Sequence, residues 1–238
     1  MQEITILKTD MAFRTKEAYK TLRSNIEFSG SGNKVITITS CTPNEGKSEV
    51  SFELARSFAE NGKKALLIDA DLRKSVMQFH FQSGKVDFGL SNYLIGGCSA
   101  EEAICKTDEE NFHLMLSGPT SPTPSELLSS ERFAMLLEEM RREYDIVIVD
   151  TPPLGSVIDS AIVGKQSDGT IVVISSGAVS YRFVLNVVDQ LERADCRILG
   201  YVLNKVDMSG GKGYYGKYYG KYYGKYYGKY YGNYGDSK

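Results

Sequence analysis

The residues best suited to chemistry lie between Ser40 and Ser48, in a loop that closes with Gly46 and Lys47. A β-branched run precedes this loop and a helical pattern follows it, which is the context of a Walker A phosphate-binding loop. In such a loop, backbone N–H groups and the helix N-terminus surround phosphate oxygens. The Lys47 ammonium is expected to reach the terminal phosphates, and the Ser48 hydroxyl is expected to ligate Mg²⁺.

The choice of nucleotide depends on residues 204–207, Asn-Lys-Val-Asp, which match the guanine-reading NKxD sequence. A GTPase also needs a Gly three residues after the strand-ending Asp150, and Pro153 stands there. Proline cannot donate an N–H to the γ-phosphate, so ATP is the expected nucleotide, with Asn204 touching adenine. The predicted nucleotide-binding residues are Thr42, Pro43, Asn44, Glu45, Gly46, Lys47, Ser48, Glu49 and Asn204. At Cys41 the loop departs from the common pattern, which has Gly.

Carboxylates follow two more β-branched runs: Asp69 and Asp71 after one, and Asp150 at the end of the other. Ligands of α/β sheets bind at the carboxyl ends of strands, so these acids are expected beside the phosphates. They could hold the water shell of a metal or accept a proton from a nucleophile; the alternative is that they are solvated turn residues. Arg73 could neutralise a transferring phosphate or pair with Asp71.

Five continuously apolar runs predict strands that are buried on both faces of a parallel sheet. The runs are Lys34–Ser40, Lys64–Asp69, Asp145–Asp150, Gly169–Ser176 and Arg197–Asn204, with a weaker sixth at Phe112–Leu116. Helical patterns cover 47–61, 130–144, 158–167 and 180–194. The alternation predicts an α/β fold with a doubly wound, mainly parallel sheet of the P-loop NTPase type.

Three segments are expected along the chain. Residues 1–33 form an N-terminal segment with a helix at 15–28, residues 34–207 form the P-loop domain, and residues 208–238 form a tail. From Gly213 the tail has Gly at every fourth position and no aliphatic residue, so we expect it to be disordered. Residues 212–238 carry a net charge of +5 and the rest of the chain carries −7, which indicates a separate task for the tail.

The composition argues against several classes of protein. The four cysteines contain no CxxC pair, so neither a disulfide framework nor a zinc site is predicted. The N-terminus lacks a signal-peptide pattern, and no run approaches about 18 apolar residues. We therefore expect a cytoplasmic protein, which something else must hold at a membrane if it works there.

The tail contains eleven of the sixteen tyrosines, in a Tyr-Tyr-Gly-Lys repeat. Stacking on nucleic acid, phase separation and a repeat without function are alternatives, but a role as kinase substrate explains more beside a Mg-ATP site. A tail of this length spans roughly 30 Å and can visit an active site at high effective concentration. Each phosphotyrosine adds about −1.5 to −2 charges, so full modification would reverse the sign of the tail. The predicted phosphorylation sites are Tyr214, Tyr215, Tyr218, Tyr219, Tyr222, Tyr223, Tyr226, Tyr227, Tyr230, Tyr231 and Tyr234.

Together these residues resemble the bacterial tyrosine kinases, specifically the separate cytoplasmic kinase subunit of Gram-positive capsule and exopolysaccharide systems. The motifs that carry the resemblance are Pro43–Ser48, Leu66–Arg73, Ile146–Pro153 and the terminal tyrosine cluster. Most of them, taken singly, are shared with plasmid-partition and septum-positioning ATPases. The segment Pro122–Leu128 also looks like a feature of the family, with no chemistry to assign to it.

The resemblance implies an ATP-dependent, non-receptor protein-tyrosine kinase. Such an enzyme autophosphorylates its tyrosine cluster, in trans, and regulates capsule or exopolysaccharide synthesis and export. The resemblance also implies that Lys47 and Ser48 bind phosphates and Mg²⁺ and that Asp69 and Asp150 support the metal. Asp71 is then implied to orient or deprotonate the tyrosine hydroxyl.

The resemblance further implies a homo-oligomer, in which a ring is assembled through Glu, Arg and Arg at three-residue spacing. Here those positions are Glu17, Lys20 and Arg23, and a Lys lacks the planar fork for bidentate pairing with a carboxylate. Glu49 stands where the family usually has Thr. The implied partners are a membrane-embedded activator that recruits the kinase to the inner face of the membrane, a cognate tyrosine phosphatase and protein substrates of polysaccharide synthesis. No nucleic acid is expected.

Two other functions stay open at this stage. A positioning or partition ATPase of deviant Walker type would hydrolyse ATP without kinase activity. Such proteins commonly carry an early Lys in the loop, and Ser40–Asn44 contains none. A non-enzymatic interaction protein would use the tail as an aromatic scaffold.

Overall fold

Nine strands form one mixed sheet in the computed structural model, which describes residues 1–7, 11–30 and 32–207. The strands are β1 Gln2–Ile6, β2 Val35–Ser40, β3 Ala65–Asp69, β4 Phe81–Gly84, β5 Ile104–Thr107, β6 Phe112–Met115, β7 Ile146–Asp150, β8 Gly169–Ser175 and β9 Ile198–Asn204. The sheet order is β4-β1-β5-β6-β3-β7-β2-β8-β9, and the six strands from β6 to β9 in that order run parallel. The predicted doubly wound, mainly parallel α/β fold is confirmed, and all six predicted strands are present.

Helices cover both faces of the sheet. They are α1 Phe13–Phe28, α2 Lys47–Glu60, α3 Leu90–Leu94, α4 Ala100–Ala103, α5 Pro124–Leu128, α6 Glu131–Glu143, α7 Asp159–Lys165 and α8 Tyr181–Arg193. Ile36 of β2 packs in a core with Phe52 of α2, whereas Val35 and Val147 pack on the opposite face with Phe133 of α6. Because successive strand residues point to opposite faces, continuously apolar runs fill both cores. Within the described residues, no helix combines the length and the apolar character that crossing a bilayer requires.

Three strands at one edge of the sheet were not predicted. β5 runs antiparallel to β6, β1 runs parallel to β5, and β4 runs antiparallel to β1. They are short and partly polar, as in the Phe-Gln-Ser-Gly of β4, so no apolar run marks them. β1, which lies within the predicted N-terminal segment 1–33, pairs with β4 and β5 in the sheet. Met1–Asn204 forms one compact unit, and a second unit begins at Lys205.

The carboxyl ends of β2, β3 and β7 meet at one edge of the sheet. β3 and β7 pair so that Asp69 lies opposite Asp150, and β2 pairs on the other side of β7, with Ile38 opposite Asp150. From β2 the chain continues through the Ser40–Gly46 loop into α2. The register of three buried strands therefore places two acidic side chains beside the phosphate-binding loop.

Candidate active site

The loop between β2 and α2 turns at two residues with left-handed backbone. Asn44 has a φ of 64° and Gly46 a φ of 88°, and these residue types adopt this region at the lowest cost. Cys41, which stands where Gly is usual, is not among the described residues with positive φ. A side chain is therefore compatible with the loop at this position, and it packs in a buried cluster with Leu154 and Val172.

A glycine is required instead at position 155, after β7. A Cβ atom at Gly155 would lie 2.2 Å from the carbonyl oxygen of Cys41. The neighbouring Leu154 N–H donates to the Ser40 carbonyl oxygen at 2.9 Å. The segment after β7 thus packs directly on the start of the phosphate-binding loop, and this close approach depends on the absent side chain. Sequence reasoning missed Gly155, since its only signal is a Gly five residues after Asp150.

Glu45 holds the loop together from its buried side. Its carboxylate accepts the Thr42 N–H at 2.7 Å and the Ser175 N–H, at the end of β8, at 3.2 Å. These N–H groups offset the cost of removing the Glu45 carboxylate from water. The Asn204 side-chain amide donates to the Glu45 carbonyl oxygen at 2.9 Å. Asn204 therefore lies against the loop, and its contact with adenine stays a prediction.

The other predicted nucleotide contacts are more accessible to solvent, three of them in the loop and Glu49 in the first turn of α2. Thr42 is half-buried, whereas Pro43, Asn44 and Glu49 are exposed. The Glu49 carboxylate lies 3.8 Å from the Nε2 atom of His80. Burial lowers the pKa of the His80 imidazole, so the contact is not an ion pair at neutral pH.

Lys47, the first residue of α2, lies among oxygen-bearing side chains. Its Nζ atom is 3.1 Å from Ser48 Oγ, 3.4 Å from Asp150 Oδ2 and 3.6 Å from Asp71 Oδ2. Burial acts to lower the pKa of Lys47, but the negative charges of the neighbouring carboxylates, Asp150 foremost, outweigh it and raise the pKa. The amine therefore keeps its positive charge at this edge of the sheet.

Asp69 and Asp150 form a buried pair at the ends of β3 and β7. The hydroxyls of Ser48 and Ser51 donate to Asp150 at 2.7 and 2.9 Å, and the hydroxyl of Ser75 donates to Asp69. Burial, followed by the negative charge of Asp150, raises the pKa of Asp69 to about 7. The ionised form of Asp69 is therefore disfavoured at this buried position, and a divalent cation beside it would be stabilised.

The oxygen atoms of this cluster suit a Mg²⁺ ion that is also bound by water and phosphate. Mg²⁺ keeps several waters and takes oxygen ligands from few protein groups together with phosphates. Ser48, Asp69 and Asp150 offer one hydroxyl and two carboxylates in a small cluster. In the described part of the chain, no group of three or more His, Cys, Asp or Glu side chains could hold a metal ion.

Asp71 lies two residues beyond β3, in a loop that is hydrogen-bonded to itself. Its N–H donates to Asp69 Oδ1 at 3.1 Å, and its own Oδ1 accepts the N–H groups of Arg73 and Lys74 at 3.3 and 3.0 Å. The other oxygen, Oδ2, faces Lys47. Asp71 also lines a groove of about 810 Å³ between this loop and β4. The four predicted catalytic residues, Lys47, Asp69, Asp71 and Asp150, are therefore brought together.

Arg73, for which the sequence left two roles open, pairs with Asp159. Its Nε and Nη2 atoms donate to the two carboxylate oxygens of Asp159 at 2.7 and 3.0 Å. Nη2 also donates to Ser125 Oγ at 3.0 Å, and Ser125 Oγ donates to Asp159 at 2.6 Å. The guanidinium is thus paired with Asp159, and of Arg73 only the backbone N–H donates to Asp71. Ser125, in the Pro122–Leu128 segment, and Asp159 were missed because they lie 52 and 86 residues from Arg73.

The predicted oligomerisation residues lie on α1, which packs on α2. Glu17 and Lys20 form an ion pair with each other at 2.7 Å. Arg23 donates to the Ser57 carbonyl oxygen at 2.7 Å and to its hydroxyl at 3.3 Å. The structure thus joins Arg23 to α2 within one chain, and the role of the three residues in assembly stays a prediction.

The predicted tail, residues 208–238, lies outside the described residues. All eleven predicted phosphorylation sites, from Tyr214 to Tyr234, belong to it. Their modification therefore stays a prediction from the sequence.

Comparison with known proteins shows which family, which sequences and which solved structures this chain is similar to. Residues 33–198 match the family described as AAA domain. The chain is 42% identical over 218 residues to the tyrosine-protein kinase CpsD of Streptococcus pneumoniae, with 90% of this chain and 96% of that protein covered. The kinase domain of the Escherichia coli tyrosine kinase ETK superposes with a TM-score of 0.76 at 30% identity, covering 89% of this chain and 94% of that one. The septum site-determining protein MinD of Pyrococcus horikoshii, solved with Mg-ADP, gives a TM-score of 0.63 at 22% identity over 74% and 72% of the chains, which shows a shared fold.

Proposed function

The chain belongs to the bacterial tyrosine-protein kinases, and on this premise we propose that the cluster around Lys47 transfers the γ-phosphoryl group of ATP to tyrosines of the chain's own tail. The observation that carries the proposal is the position of the Lys47 amine. It lies 3.4 Å from Asp150 and 3.6 Å from Asp71, at the carboxyl edge of the sheet. P-loop enzymes use a lysine and strand-ending carboxylates at such an edge to transfer or cleave the γ-phosphoryl group.

The phosphates would bind to the N–H groups of the loop and of the first turn of α2. Because the pKa of Lys47 is raised, this residue supplies a full positive charge to the transferring group. Mg²⁺, held by Ser48 and through water by Asp69 and Asp150, would neutralise further charge on the triphosphate. Charge neutralisation and positioning are the main contributions that a protein makes to phosphoryl transfer.

Asp71 is the residue that would receive the acceptor tyrosine. A free phenol has a pKa of about 10, so it arrives protonated at neutral pH. As the phenolic oxygen bonds to the γ-phosphorus, the bond from phosphorus to the bridging oxygen breaks and ADP leaves. The phenolic proton passes to the Asp71 carboxylate late in this step, and before it the carboxylate orients the hydroxyl by accepting its hydrogen bond.

The groove beside Asp71 is a suitable entry for the acceptor. Its lining includes the aromatic rings of Phe81 and Phe88 together with Val86, all of which suit a flat phenol. The unmodified tail is positively charged and so is attracted to a site that contains several carboxylates. Phosphorylation reverses the sign of the tail, which favours release of the product.

The cellular setting of the reaction is also part of the proposal. Transfer in trans requires that two copies of the chain meet, and we propose a homo-oligomer in which α1 forms the contact. A membrane-embedded activator would complete the ATP site and recruit the kinase to the inner face of the membrane, and a cognate phosphatase would reset the tail. Protein substrates of capsule or exopolysaccharide synthesis would link the reaction to polysaccharide export. The resemblance of the sequence to capsule kinases supports these assignments.

Lys47→Met tests the phosphate site directly. The variant is expected to fold and to lose tail phosphorylation, because the positive charge at the transferring group is removed. Tail phosphotyrosine is measured by mass spectrometry after incubation with Mg-ATP and a cytoplasmic activator fragment. Lys63→Met, which removes an exposed lysine beyond α2, is the matched control and is expected to behave as the wild type. Undiminished phosphotyrosine in Lys47→Met would rule out the site.

Asp71→Asn tests the role of the acceptor-facing carboxylate. The change preserves shape and removes the proton acceptor, so it is expected to reduce transfer more than ATP binding. Single-turnover transfer and the affinity for a fluorescent ATP analogue separate the two quantities. An equal loss of both would make Asp71 a metal-supporting residue instead.

A further inference from the structure

Three side chains form a cluster, called here the Arg73 clamp, that joins three segments around the active site. Arg73 lies in the loop after β3, Asp159 is the first residue of α7, and Ser125 lies in α5. Both carboxylate oxygens of Asp159 accept from the Arg73 guanidinium, and Ser125 bridges the two. Asp159 is completely buried, whereas the Arg73 side chain is 39% exposed. A buried carboxylate is costly unless it is paired, so the clamped arrangement is strongly preferred.

The clamp acts on the loop that holds Asp71. The carboxylate of Asp71 accepts the backbone N–H groups of Arg73 and Lys74. Arg73 is therefore held at both ends. Its guanidinium is bound by Asp159, and its backbone N–H binds the Asp71 carboxylate. If Arg73 were released, these two N–H groups could turn away, and the Asp71 carboxylate would lose its fixed direction.

The partners of Arg73 are themselves held by the framework. The Gln166 side chain, just after α7, donates to the Leu128 carbonyl oxygen of α5 at 3.0 Å. Ser121 N–H donates to the Leu72 carbonyl oxygen at 3.2 Å, which ties the approach to α5 to the residue before Arg73. The bidentate pair also needs the planar fork of arginine, which a lysine lacks. The three segments that carry the clamp are thus hydrogen-bonded to one another as well.

We propose that Asp159 and Ser125 are positioning residues for phosphoryl transfer, which hold Asp71 in its productive direction through Arg73. Neither is assigned to bind nucleotide or metal. The inference rests on the proposed role of Asp71 toward the acceptor. It assigns chemistry to Ser125 of the Pro122–Leu128 segment, for which the sequence offered none.

The test compares Asp159→Asn and Ser125→Ala with Asp168→Asn. Asp168 forms a similar ion pair with Arg141, and it precedes β8 at the end of the strands opposite to the phosphate-binding loop. The measurements are kcat and KM for a synthetic tail peptide with Mg-ATP and the activator fragment, the affinity for a fluorescent ATP analogue, and the midpoint of thermal unfolding. Ser125→Ala removes one hydroxyl and keeps the ion pair, so it stays informative if Asp159→Asn folds poorly.

Supporting positions around a reactive group typically contribute about 10- to 100-fold, and misplacement by about 1 Å costs about 100-fold. We expect kcat to fall about 10- to 100-fold in Asp159→Asn and by a smaller factor in Ser125→Ala, with ATP-analogue affinity within about threefold of wild type. Asp168→Asn is expected to lose thermal stability while keeping kcat. Wild-type kcat in both clamp variants, or a loss of ATP affinity that equals the loss of kcat, would overturn the inference.

Two further variants separate this inference from the proposed function. Arg73→Lys keeps the charge and loses the fork, so its kcat is expected between those of wild type and Asp159→Asn. Lys47→Met is measured in the same series. If Lys47→Met is inactive while the clamp variants match wild type, only the clamp is refuted. If Lys47→Met is fully active, the site assignment itself fails.

Discussion

The Gly155→Ala variant tests whether close packing of the segment after β7 keeps the phosphate-binding loop in position for ATP. Gly155 is not among the described residues with positive φ, so an alanine is compatible with the backbone, and the effect of the change is steric. The added Cβ would lie 2.2 Å from the Cys41 carbonyl oxygen and 2.8 Å from the Phe183 ring. The Phe183 ring can rotate away, whereas the Cys41 oxygen belongs to the backbone, so the strain falls on the loop.

The size of the effect follows from the shortest contact. Real Cβ atoms essentially never approach another heavy atom closer than 3.0 Å, so the loop or the segment must shift by at least about 0.8 Å. Overpacking of this kind costs about 1–3 kcal/mol of stability. A displacement approaching 1 Å at a group that positions phosphate is expected to weaken ATP binding about 10- to 100-fold, or about 1.4–2.8 kcal/mol.

Gly200→Ala in β9 is the matched control, because a Cβ there meets nothing within 4 Å and the backbone is not left-handed. It is expected to keep wild-type ATP affinity and to change stability by less than about 1 kcal/mol. Binding of a fluorescent ATP analogue and thermal unfolding are measured for both variants. If Gly155→Ala binds the analogue as tightly as Gly200→Ala does, the claimed dependence of the loop on residue 155 is refuted.

Two more predictions concern buried groups. Cys41→Gly restores the common loop pattern but removes a buried side chain. It should lower the free energy of unfolding by about 1–2 kcal/mol, measured by urea unfolding, and should not tighten ATP binding. Tighter ATP binding would contradict the backbone conformation assigned to Cys41. Burial raises the pKa of Glu53 from its ordinary 4.5 to about 7, so the folded protein holds this proton more tightly than the unfolded chain does. The resulting stabilisation is complete below about pH 4.5 and is lost as the pH rises through 7. Glu53→Gln should therefore raise the unfolding midpoint at pH 8 and leave it nearly unchanged near pH 4.5; equal shifts at both pH values would contradict this reasoning.

The parallel part of the sheet and the phosphate-binding loop were predictable because their signals are local. β2, β3 and β7 are continuously apolar, and each leads into a turn with polar chemistry, so their carboxyl ends could be placed together before any coordinates were known. β1, β4 and β5 were missed because strands at a sheet edge need little apolar sequence. β1 also depends on two partners that are distant along the chain, β4 and β5. β5 pairs with its near neighbour β6, and it was missed because its Ile-Cys-Lys-Thr sequence is too short and too polar to form an apolar run.

The parts of the site that could not be predicted depend on long-range contacts. Gly155 is required by a carbonyl oxygen more than a hundred residues earlier in the chain, and Arg73 is paired with a carboxylate 86 residues later. Neither contact leaves a periodic pattern or a fixed spacing in the sequence. The loop motif predicts which residues would face the nucleotide, whereas the residues that pack behind that loop are visible only in the structure.

The pairing of Asp69 with Asp150 across neighbouring strands limits which parts of the active site can respond to the nucleotide. Neighbouring strands lie about 4.8 Å apart, and both strands are buried, so the backbone separation of the two acidic residues cannot change unless hydrogen bonds of the central sheet break. Backbone adjustment between the ATP-bound and ADP-bound states is therefore expected in the segments outside the sheet that border the site. These are the loop before α2 and the turn that carries Asp71, and amide hydrogen exchange should differ between the two nucleotide states there while staying constant in β3 and β7.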